Sequence, residues 1–346
     1  MSELLAQQPW LLDAFWLVFR CVAVFGVLLF LVAYTVLLER RVAAWIQDRI
    51  GPNRVGPFGL LQPLADAGKL MLKEAMLPSY VHKFYYLIAP VLVVIPAILV
   101  AGVIPWGSKL GDTPCVLADM DVGLLFVFAV TSLAVYGIAL AGWASNSKYP
   151  LLGGVRSSAQ MISYEVCLSL SVVGVLLQTQ TMNLGKIVQY QADHTWLVLT
   201  QPFGFLIFLV SAFAETNRLP FDFPEAEQEL VAGYHTEYSG MKFALFQLGE
   251  YANLIASCSL VVTLFFGGWS LPLPGFNEPA SNLLLGILHV GVFLTKVGFL
   301  AFTFMWVRWT LPRFRYDQLM RLCWNVMVPM ALVNMLVTAG VIAYWS

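Results

Sequence analysis

The 346-residue chain is 59% hydrophobic, and only 11% of its residues are charged. Soluble domains carry about 25% charged residues, so the composition excludes an ordinary soluble protein and indicates an integral membrane protein. The net charge of -1 and the lack of a basic cluster give no indication of nucleic-acid binding.

Eight apolar segments are long enough to cross a bilayer, which takes about 20 residues of helix. They lie at 13–38, 84–104, 122–144, 158–179, 198–215, 242–268, 283–307 and 321–345. Pro90, Pro96 and Pro329 fall inside them, which membrane helices tolerate where neighbouring helices satisfy the freed backbone groups. We therefore predict an all-α integral membrane protein with about eight transmembrane helices, forming one polytopic domain over residues 1–346.

The positive charges predict the orientation of these helices. Fifteen of the 19 lysines and arginines lie on odd-numbered loops or their flanks. By the positive-inside rule, those loops face the cytoplasm and both termini face the outer, periplasmic side. The basic first loop (39–83), the acidic fifth loop (215–241) and the basic seventh loop (308–320) would therefore share one side. Opposite charges meeting there predict a polar cap rich in ion pairs.

The first loop contains an amphipathic segment from Leu60 to Met76. Its polar side chains recur at helical spacing and fall within a narrow arc; they are Gln62, Asp66, Lys69 and Lys73. Leucine, glycine, methionine and alanine occupy the opposite face. This pattern predicts a helix that lies near the plane of the membrane. An interfacial anchor is the simplest interpretation, although an acid and two lysines in line point to a further role.

The fifth loop and the start of the sixth span hold seven of the chain's 20 carboxylates. Glu215 and Glu237 bound a stretch with six acids and one base, Arg218. Ionisable groups near membrane depth usually mark ion or substrate pathways. Acids packed this closely raise one another's pKa, so that some hold a proton near neutrality. The pattern favours proton-coupled chemistry, with a solvated helix face as the alternative for part of the row.

The remaining reactive residues give no sign of a cofactor site. The five cysteines are scattered and are expected to be small core residues, with neither a metal site nor a disulfide framework indicated. The four histidines lack the spacing of paired metal or haem ligands, and no nucleotide-binding glycine motif occurs. Lys296 lies within a span, where a partner on a neighbouring helix or subunit is expected. Any redox cofactor would therefore belong to a partner.

Two stretches carry a specific resemblance. GLLQPLADAGKLMLKE and PFDFPEAEQELVAG resemble the two signature motifs of the quinone-site membrane subunit family of respiratory complex I. Further blocks agree with that family: ERRVAAWIQDRIGPNRVGPFG, ISYE at 162–165, AETNR at 214–218, ALFQLGEYANL at 244–254 and PRFRYDQLMRLCW at 312–324. The match follows the predicted cytoplasmic loops and the adjoining helix ends.

The resemblance implies a subunit of proton-translocating NADH:quinone oxidoreductase, acting as a translocase with quinone as its substrate. No cofactor would lie on this chain, since the FMN and iron–sulfur clusters belong to partner subunits. The implied quinone chamber is lined by Arg40, Arg49, Asp66, Lys69 and Phe246. The implied acidic route comprises Glu165, Glu215, Asp222, Glu225, Glu227, Glu229, Glu237 and Glu250, with Arg218, Arg313 and Arg315 as counter-charges.

The implied partners are the peripheral-arm subunits that carry the terminal iron–sulfur cluster and the head of the quinone pocket, the small membrane subunits that lead to the antiporter-like subunits, and membrane lipids. The length and loops suit a bacterial inner membrane, and a mitochondrial inner membrane stays open. Two other functions stay open from the residues: the anchor of a membrane-bound hydrogenase-type complex, and a self-contained proton-coupled transporter. The second would often show an internal repeat, and none is apparent.

Overall fold

A computed structural model of the chain describes residues 9–110, 113–223, 231–272, 276–280 and 282–345. Within these ranges the chain is mostly helical. The helices are α1 Pro9–Ile46, α2 Gln62–Leu72, α3 Lys83–Val103, α4 Gly123–Ala144, α5 Lys148–Thr179, α6 Leu184–Asp193, α7 Leu197–Thr200, α8 Pro202–Glu215, α9 Met241–Phe265, α10 Leu283–Thr310, α11 Tyr316–Arg321 and α12 Val328–Trp345. A π-helical turn, Leu322–Met327, joins α11 to α12.

Short elements complete the connections. Two 3₁₀ turns occupy Pro57–Gly59 and Gly233–His235. The antiparallel strands β1 Lys109–Leu110 and β2 Thr113–Pro114 form a small hairpin between α3 and α4. The fold is therefore a helical membrane bundle, as the composition predicts.

Seven helical stretches of the described chain are long and apolar enough to cross a bilayer: Phe15–Ile46, Lys83–Val103, Gly123–Ala144, Lys148–Thr179, Met241–Phe265, Leu283–Thr310 and Tyr316–Tyr344. The predicted fifth span, 198–215, is broken after α7 and continues as the 14-residue α8. At about 1.5 Å per residue, α8 is shorter than the roughly 30 Å hydrocarbon core. An eighth crossing and the orientation of the termini stay predictions.

The longest differences from the predicted spans occur at the ends that the charge pattern predicts to face the cytoplasm. Helix α1 continues past residue 38 through the sequence LERRVAAWI and ends at Ile46, before the turn at Gly51 and Pro52. Helix α5 begins at Lys148, ten residues before the predicted span. The segment ERRVAAWI at the end of α1 is rich in good helix formers, and Pro150 lies in the first turn of α5, where proline is tolerated. Charged residues are thereby carried on rigid helix ends.

The core lies among α3, α4, α5, α8 and α9. Helix α9 is central, because 83% of its most apolar window is buried, against 17% for the corresponding windows of α1 and of the α11–α12 stretch. Pro90 and Pro96 stand within α3 and are both buried there. The outer faces of α1, α10 and α12 are apolar and exposed, as expected for surfaces that meet lipid or another membrane subunit.

Candidate functional site

Four charged side chains form a buried cluster where the ends of four elements meet. We call Glu39, Arg218, Glu250 and Arg308 the charge quartet. Arg218 Nη1 donates to Glu39 Oε2 at 2.7 Å, and Arg308 Nη1 donates to Glu39 Oε1 at 2.5 Å. Arg218 Nη2 lies 3.1 Å from Glu250 Oε1. The quartet holds two positive and two negative charges, so its formal charge is zero.

Each member is held by a separate element. Glu39 lies on the extended end of α1, Arg218 follows the end of α8, and Glu250 lies on α9. Arg308 lies in the last turn of α10, where a cation interacts favourably with the helix dipole. Arg218 is only 1% exposed and Glu39 only 4%. Burying charges this deeply is costly unless each is paired, so the four elements must meet for the cluster to be stable.

Arg218 is the centre of the quartet. Burial acts to lower the pKa of its guanidinium, but the Glu250 and Glu39 carboxylates raise that pKa above its ordinary value. The guanidinium also lies over the Tyr251 ring, 4.4 Å from its centroid, in a cation–π contact. Arg218 therefore stays positively charged across the physiological range.

An open cavity of about 400 Å³ lies beside the quartet, between the end of α1 and the ends of α9 and α10. Its lining includes the predicted chamber residues Arg40 and Arg49, together with Glu39 and Tyr251. Glu39 thus faces the cavity while its carboxylate pairs with Arg218 and Arg308. A charge that changes inside this cavity would act on the quartet at short range, because Glu39 belongs to both.

The amphipathic helix is joined to the same region. Arg40 Nη1 donates to Asp66 Oδ2 at 2.6 Å, and Gln62 Nε2 donates to Asp66 Oδ1 at 2.9 Å. Lys69 lies on the same helix and is exposed. The opposite face of α2 is also exposed, with Leu64 and Met71 more than half accessible. This helix therefore presents an apolar face without cover from the described chain.

Phe246 takes a different position from the other four predicted chamber residues. It is 2% exposed and packs between the rings of Tyr234 and Tyr238, with centroid distances of 5.3 and 4.8 Å. It lines a cavity of about 30 Å³ that also touches Glu215 and Glu250. Phe246 thus lies against the acidic residues, away from the larger cavity.

Glu215 lies between two small cavities. The 30 Å³ cavity connects it with Glu250, and a second one, of about 10 Å³, reaches Asn253 and Ser257 on α9. A cavity needs roughly 10–15 Å³ to hold one water, so the larger has room for water and the smaller is at that limit. Glu165 on α5 lies close enough to repel the Glu215 carboxylate. The predicted acids Glu165, Glu215 and Glu250 are thus brought together.

Apart from Glu237, the other predicted acids and counter-charges divide into three groups. Arg313 Nη2 donates to Asp222 Oδ2 at 3.0 Å, which joins the fifth and seventh loops. Arg315 pairs with Asp317, an acid outside the predicted set, so its role as a counter-charge to that set stays a prediction. The third group, Glu225, Glu227 and Glu229, lies outside the described residues.

Glu237 ties the fifth loop to the first. Tyr80 donates its hydroxyl hydrogen to Glu237 Oε2 at 2.6 Å, and this hydrogen bond raises the pKa of Tyr80. Tyr86 donates to the Glu237 carbonyl, also at 2.6 Å, and stacks on Tyr238 with the centroids 4.0 Å apart. Together with Asp222–Arg313 and the quartet, these contacts bring the first, fifth and seventh loops to one end of the bundle.

Comparison with known proteins shows the family. The family model described as NADH dehydrogenase matches residues 19–339. The chain is 48% identical to NADH-quinone oxidoreductase subunit 8 of Rhodothermus marinus over 344 residues, 97% of this chain and 99% of the relative. The chain belongs to the NADH dehydrogenase family of membrane subunits.

Two further relatives of this family cover the chain to a similar extent, and both are named as subunits of NADH-quinone oxidoreductase. The relative from Cytophaga hutchinsonii is 47% identical over 324 residues, 92% of this chain and 94% of the relative. The relative from Geobacter metallireducens is 52% identical over 324 residues, again 92% of this chain and 94% of the relative. These matches confirm the family resemblance carried by the two motifs.

Three residues of this site were not predicted from the sequence: Glu39, Tyr251 and Arg308. Two of them adjoin a residue that was noticed for another reason, since Glu39 precedes Arg40 and Tyr251 follows Glu250. Arg308 was counted only as a topology signal. A charged residue directly after a long apolar run is the signal that was available, because a continuing helix would carry it into the core.

Proposed function

We propose that this subunit of NADH-quinone oxidoreductase forms the membrane part of a quinone chamber and the first section of an acidic proton route. The cavity beside Arg40 and Arg49 would receive the quinone head group. The observation that carries the proposal is that Glu39 lines this cavity and also pairs with Arg218 in the charge quartet.

The coupling step follows from charge balance. Reduction of a quinone to a quinol takes up two electrons and two protons, so negative charge develops in the cavity before protons arrive. That charge attracts Arg40 and repels Glu39, which weakens the hold of Glu39 on Arg218 and Arg308. Arg218 is then free to hold Glu250 more tightly, and the carboxylates behind it respond as a coupled group.

Protons would move along the acids that the fold brings together. Glu250 and Glu215 share the 30 Å³ cavity, and Glu165 lies beside Glu215. Water in that cavity would bridge the two carboxylates, and a proton added at one acid changes the occupancy of the next. Asp222, Glu237 and the fifth-loop acids Glu225, Glu227 and Glu229 would supply the route from the cytoplasmic side.

The open cavity and the exposed apolar helix faces indicate which partners this subunit would need. The cavity is open on one side, so a peripheral-arm subunit carrying the terminal iron–sulfur cluster would close it and deliver electrons. FMN and the other clusters would lie on further partner subunits. The exposed apolar faces of α1, α10 and α12 would meet lipid and the small membrane subunits that lead to the antiporter-like subunits. The membrane would be the inner membrane of a bacterium.

The test uses the assembled complex in sealed inverted vesicles. Asp66→Asn removes the charge that holds Arg40, and we expect the KM for quinone to rise several-fold. Glu215→Gln cannot release a proton, and we expect fewer protons pumped per NADH oxidised. Electron transfer from NADH to a water-soluble acceptor should be unchanged in both, because it bypasses this subunit.

Asp121→Asn is the matched control. Asp121 also forms an ion pair, with Lys186, but both side chains are exposed, and neither lines the cavities beside Glu39 and Glu215. This variant should keep the wild-type KM and proton yield. Unchanged quinone kinetics in Asp66→Asn together with a normal proton yield in Glu215→Gln would refute the proposed chamber and route.

A further inference from the structure

Two buried thiols come into contact although they lie far apart in the sequence. Cys167 is on α5, and Cys323 is the second residue of the π-helical turn Leu322–Met327. Their Sγ atoms are 3.3 Å apart, and neither residue has accessible surface. The S–S bond of a disulfide is about 2.05 Å long, so closure requires an approach of little more than 1 Å.

The thiols belong to a set of contacts that dock the chain between α11 and α12 on α5. Cys323 Sγ donates to the Ser163 carbonyl at 3.3 Å, and Cys167 Sγ lies 3.9 Å from the Cys323 carbonyl. Tyr164 donates its hydroxyl hydrogen to the Leu319 carbonyl at 3.0 Å. Each of these bonds is weak or neutral, so the docking depends on several small terms.

The backbone at Cys323 can absorb the required movement. Val328 N–H donates to the Cys323 carbonyl, five residues back along the chain, which makes this turn wider than an α-helical one. π turns are rare single-turn insertions that occur often at functional sites. A shift of about 1 Å in such a turn leaves the regular hydrogen bonds of α12 in place.

We propose that Cys167 and Cys323 form an oxidation site that closes to a disulfide, clamps α11 and α12 to α5, and thereby slows quinone reduction reversibly. In the reaction each thiol loses its hydrogen and one S–S bond forms. The two electrons and two protons pass to a lipid hydroperoxide, whose O–O bond breaks to give an alcohol and water. An apolar oxidant is required because the pair is enclosed by the hydrophobic core.

The effect on turnover follows from what the clamped elements carry. Glu165 lies on α5, two residues before Cys167, and Arg313 lies in the segment leading into α11, where it pairs with Asp222. A covalent link between α5 and the turn after α11 restricts the movement of these groups relative to one another. This part of the inference rests on the proposed function, whereas formation of the disulfide does not.

The experiment treats the assembled complex in membranes with cumene hydroperoxide. Remaining thiols are then blocked in denaturant, and the digest is analysed by mass spectrometry for a peptide that links Cys167 to Cys323. We expect the linked peptide in the wild type and in Cys258→Ala, a control that removes another fully buried cysteine. Cys167→Ala and Cys323→Ala should not give it.

Turnover provides the second readout. NADH-quinone reductase activity should fall by the linked fraction in the wild type and Cys258→Ala, and the apolar reductant tributylphosphine should restore it. Cys167→Ala and Cys323→Ala should keep their own starting activity under the same treatment. Failure to detect the linked peptide while the accessible Cys21 is oxidised would overturn the proposal, as would linkage without loss of turnover. If Glu215→Gln pumped normally but the linked peptide formed, only the proposed route would fail.

Discussion

Glu39→Gln is the sharpest perturbation of the charge quartet, because it removes one charge and changes the side-chain volume little. Glu39 accepts from both arginines, at 2.7 Å from Arg218 and 2.5 Å from Arg308. After the change, the buried Arg218 and the partly buried Arg308 face one carboxylate, that of Glu250. Removing one partner of a buried pair destabilises a protein by about 3–5 kcal/mol, since a buried charge is left uncompensated.

A second substitution separates charge balance from lost contacts. Glu39→Gln combined with Arg308→Gln returns the cluster to a formal charge of zero. If charge balance dominates, the double variant is more stable than the sum of the two single effects, with a coupling of about 1–3 kcal/mol. Asp121→Asn is the control, because its exposed pair with Lys186 should contribute nothing measurable.

The assay is the midpoint temperature of heat-induced dissociation of the detergent-purified complex, followed with the NADH-quinone reductase activity that survives heating. The expected order is Glu39→Gln lowest, then the double variant, with Asp121→Asn equal to the wild type. Strictly additive losses in the double variant would show that the four side chains do not act as a balanced cluster. A Glu39→Gln midpoint equal to that of Asp121→Asn would refute the argument from burial.

Three further predictions concern packing, pH and a buried lysine. A Cβ at Gly153 would lie 2.9 Å from the Gly233 backbone, so Gly153→Ala should cost about 1–3 kcal/mol. Gly298→Ala, which has open space around it inside α10, should not lower the midpoint in the same thermal assay. Burial lowers the pKa of His235 from 6.5 to about 4. Between pH 6.5 and 4, His235 is therefore protonated in the unfolded chain and neutral in the folded chain. Stability should then fall by roughly 3 kcal/mol as pH drops from 6.5 to 4, and His235→Gln should flatten that limb of a midpoint-against-pH profile. Lys296→Met leaves three carbonyls of the chain after α9 without their donor, which lies 2.6–2.9 Å from them, and limited proteolysis should then cut this segment faster than in the wild type.

The helices were predictable because hydropathy reports directly on burial in a bilayer. Seven of the predicted spans correspond to helical stretches that are long and apolar enough to cross. The fifth span differs because Gln201 and Pro202 interrupt its apolar run. Hydropathy is averaged over a window of many residues, so two residues of this kind hardly lower the average. The burial of Gln201 is offset by hydrogen bonds to Thr338 and Asn334 on α12, which are contacts between distant segments and leave no local signal.

Lys296 illustrates the same difficulty. A partner on a neighbouring helix or subunit was expected, since a cation at membrane depth must be paired. The structure supplies the carbonyls of Phe266, Gly268 and Ser270 instead, with the Trp196 ring 4.6 Å from the ammonium nitrogen. Backbone carbonyls are present at every residue, so a sequence cannot show which of them a turn will direct towards a lysine.

The site was predictable where charged residues recur in a motif and was missed where a helix extends beyond its apolar run. Arg40 and Asp66 were both expected in the chamber, and they form an ion pair. Glu39 was overlooked because a charged residue at the end of a span usually marks only the interface with water. Here α1 continues for seven residues after Glu39, which keeps that carboxylate against α9 and α10.

The position of Glu39 explains why a quartet, and not a single ion pair, separates the cavity from the acids. A single buried pair responds to a nearby charge only by breaking, which costs several kcal/mol. In the quartet, Arg218 lies between Glu39 and Glu250, so weakening one contact strengthens the other and the total buried charge stays balanced. Under the proposed function, the energy needed to transmit a change from the cavity to Glu250 would therefore be the difference between two similar pairings, and not the full cost of breaking one of them.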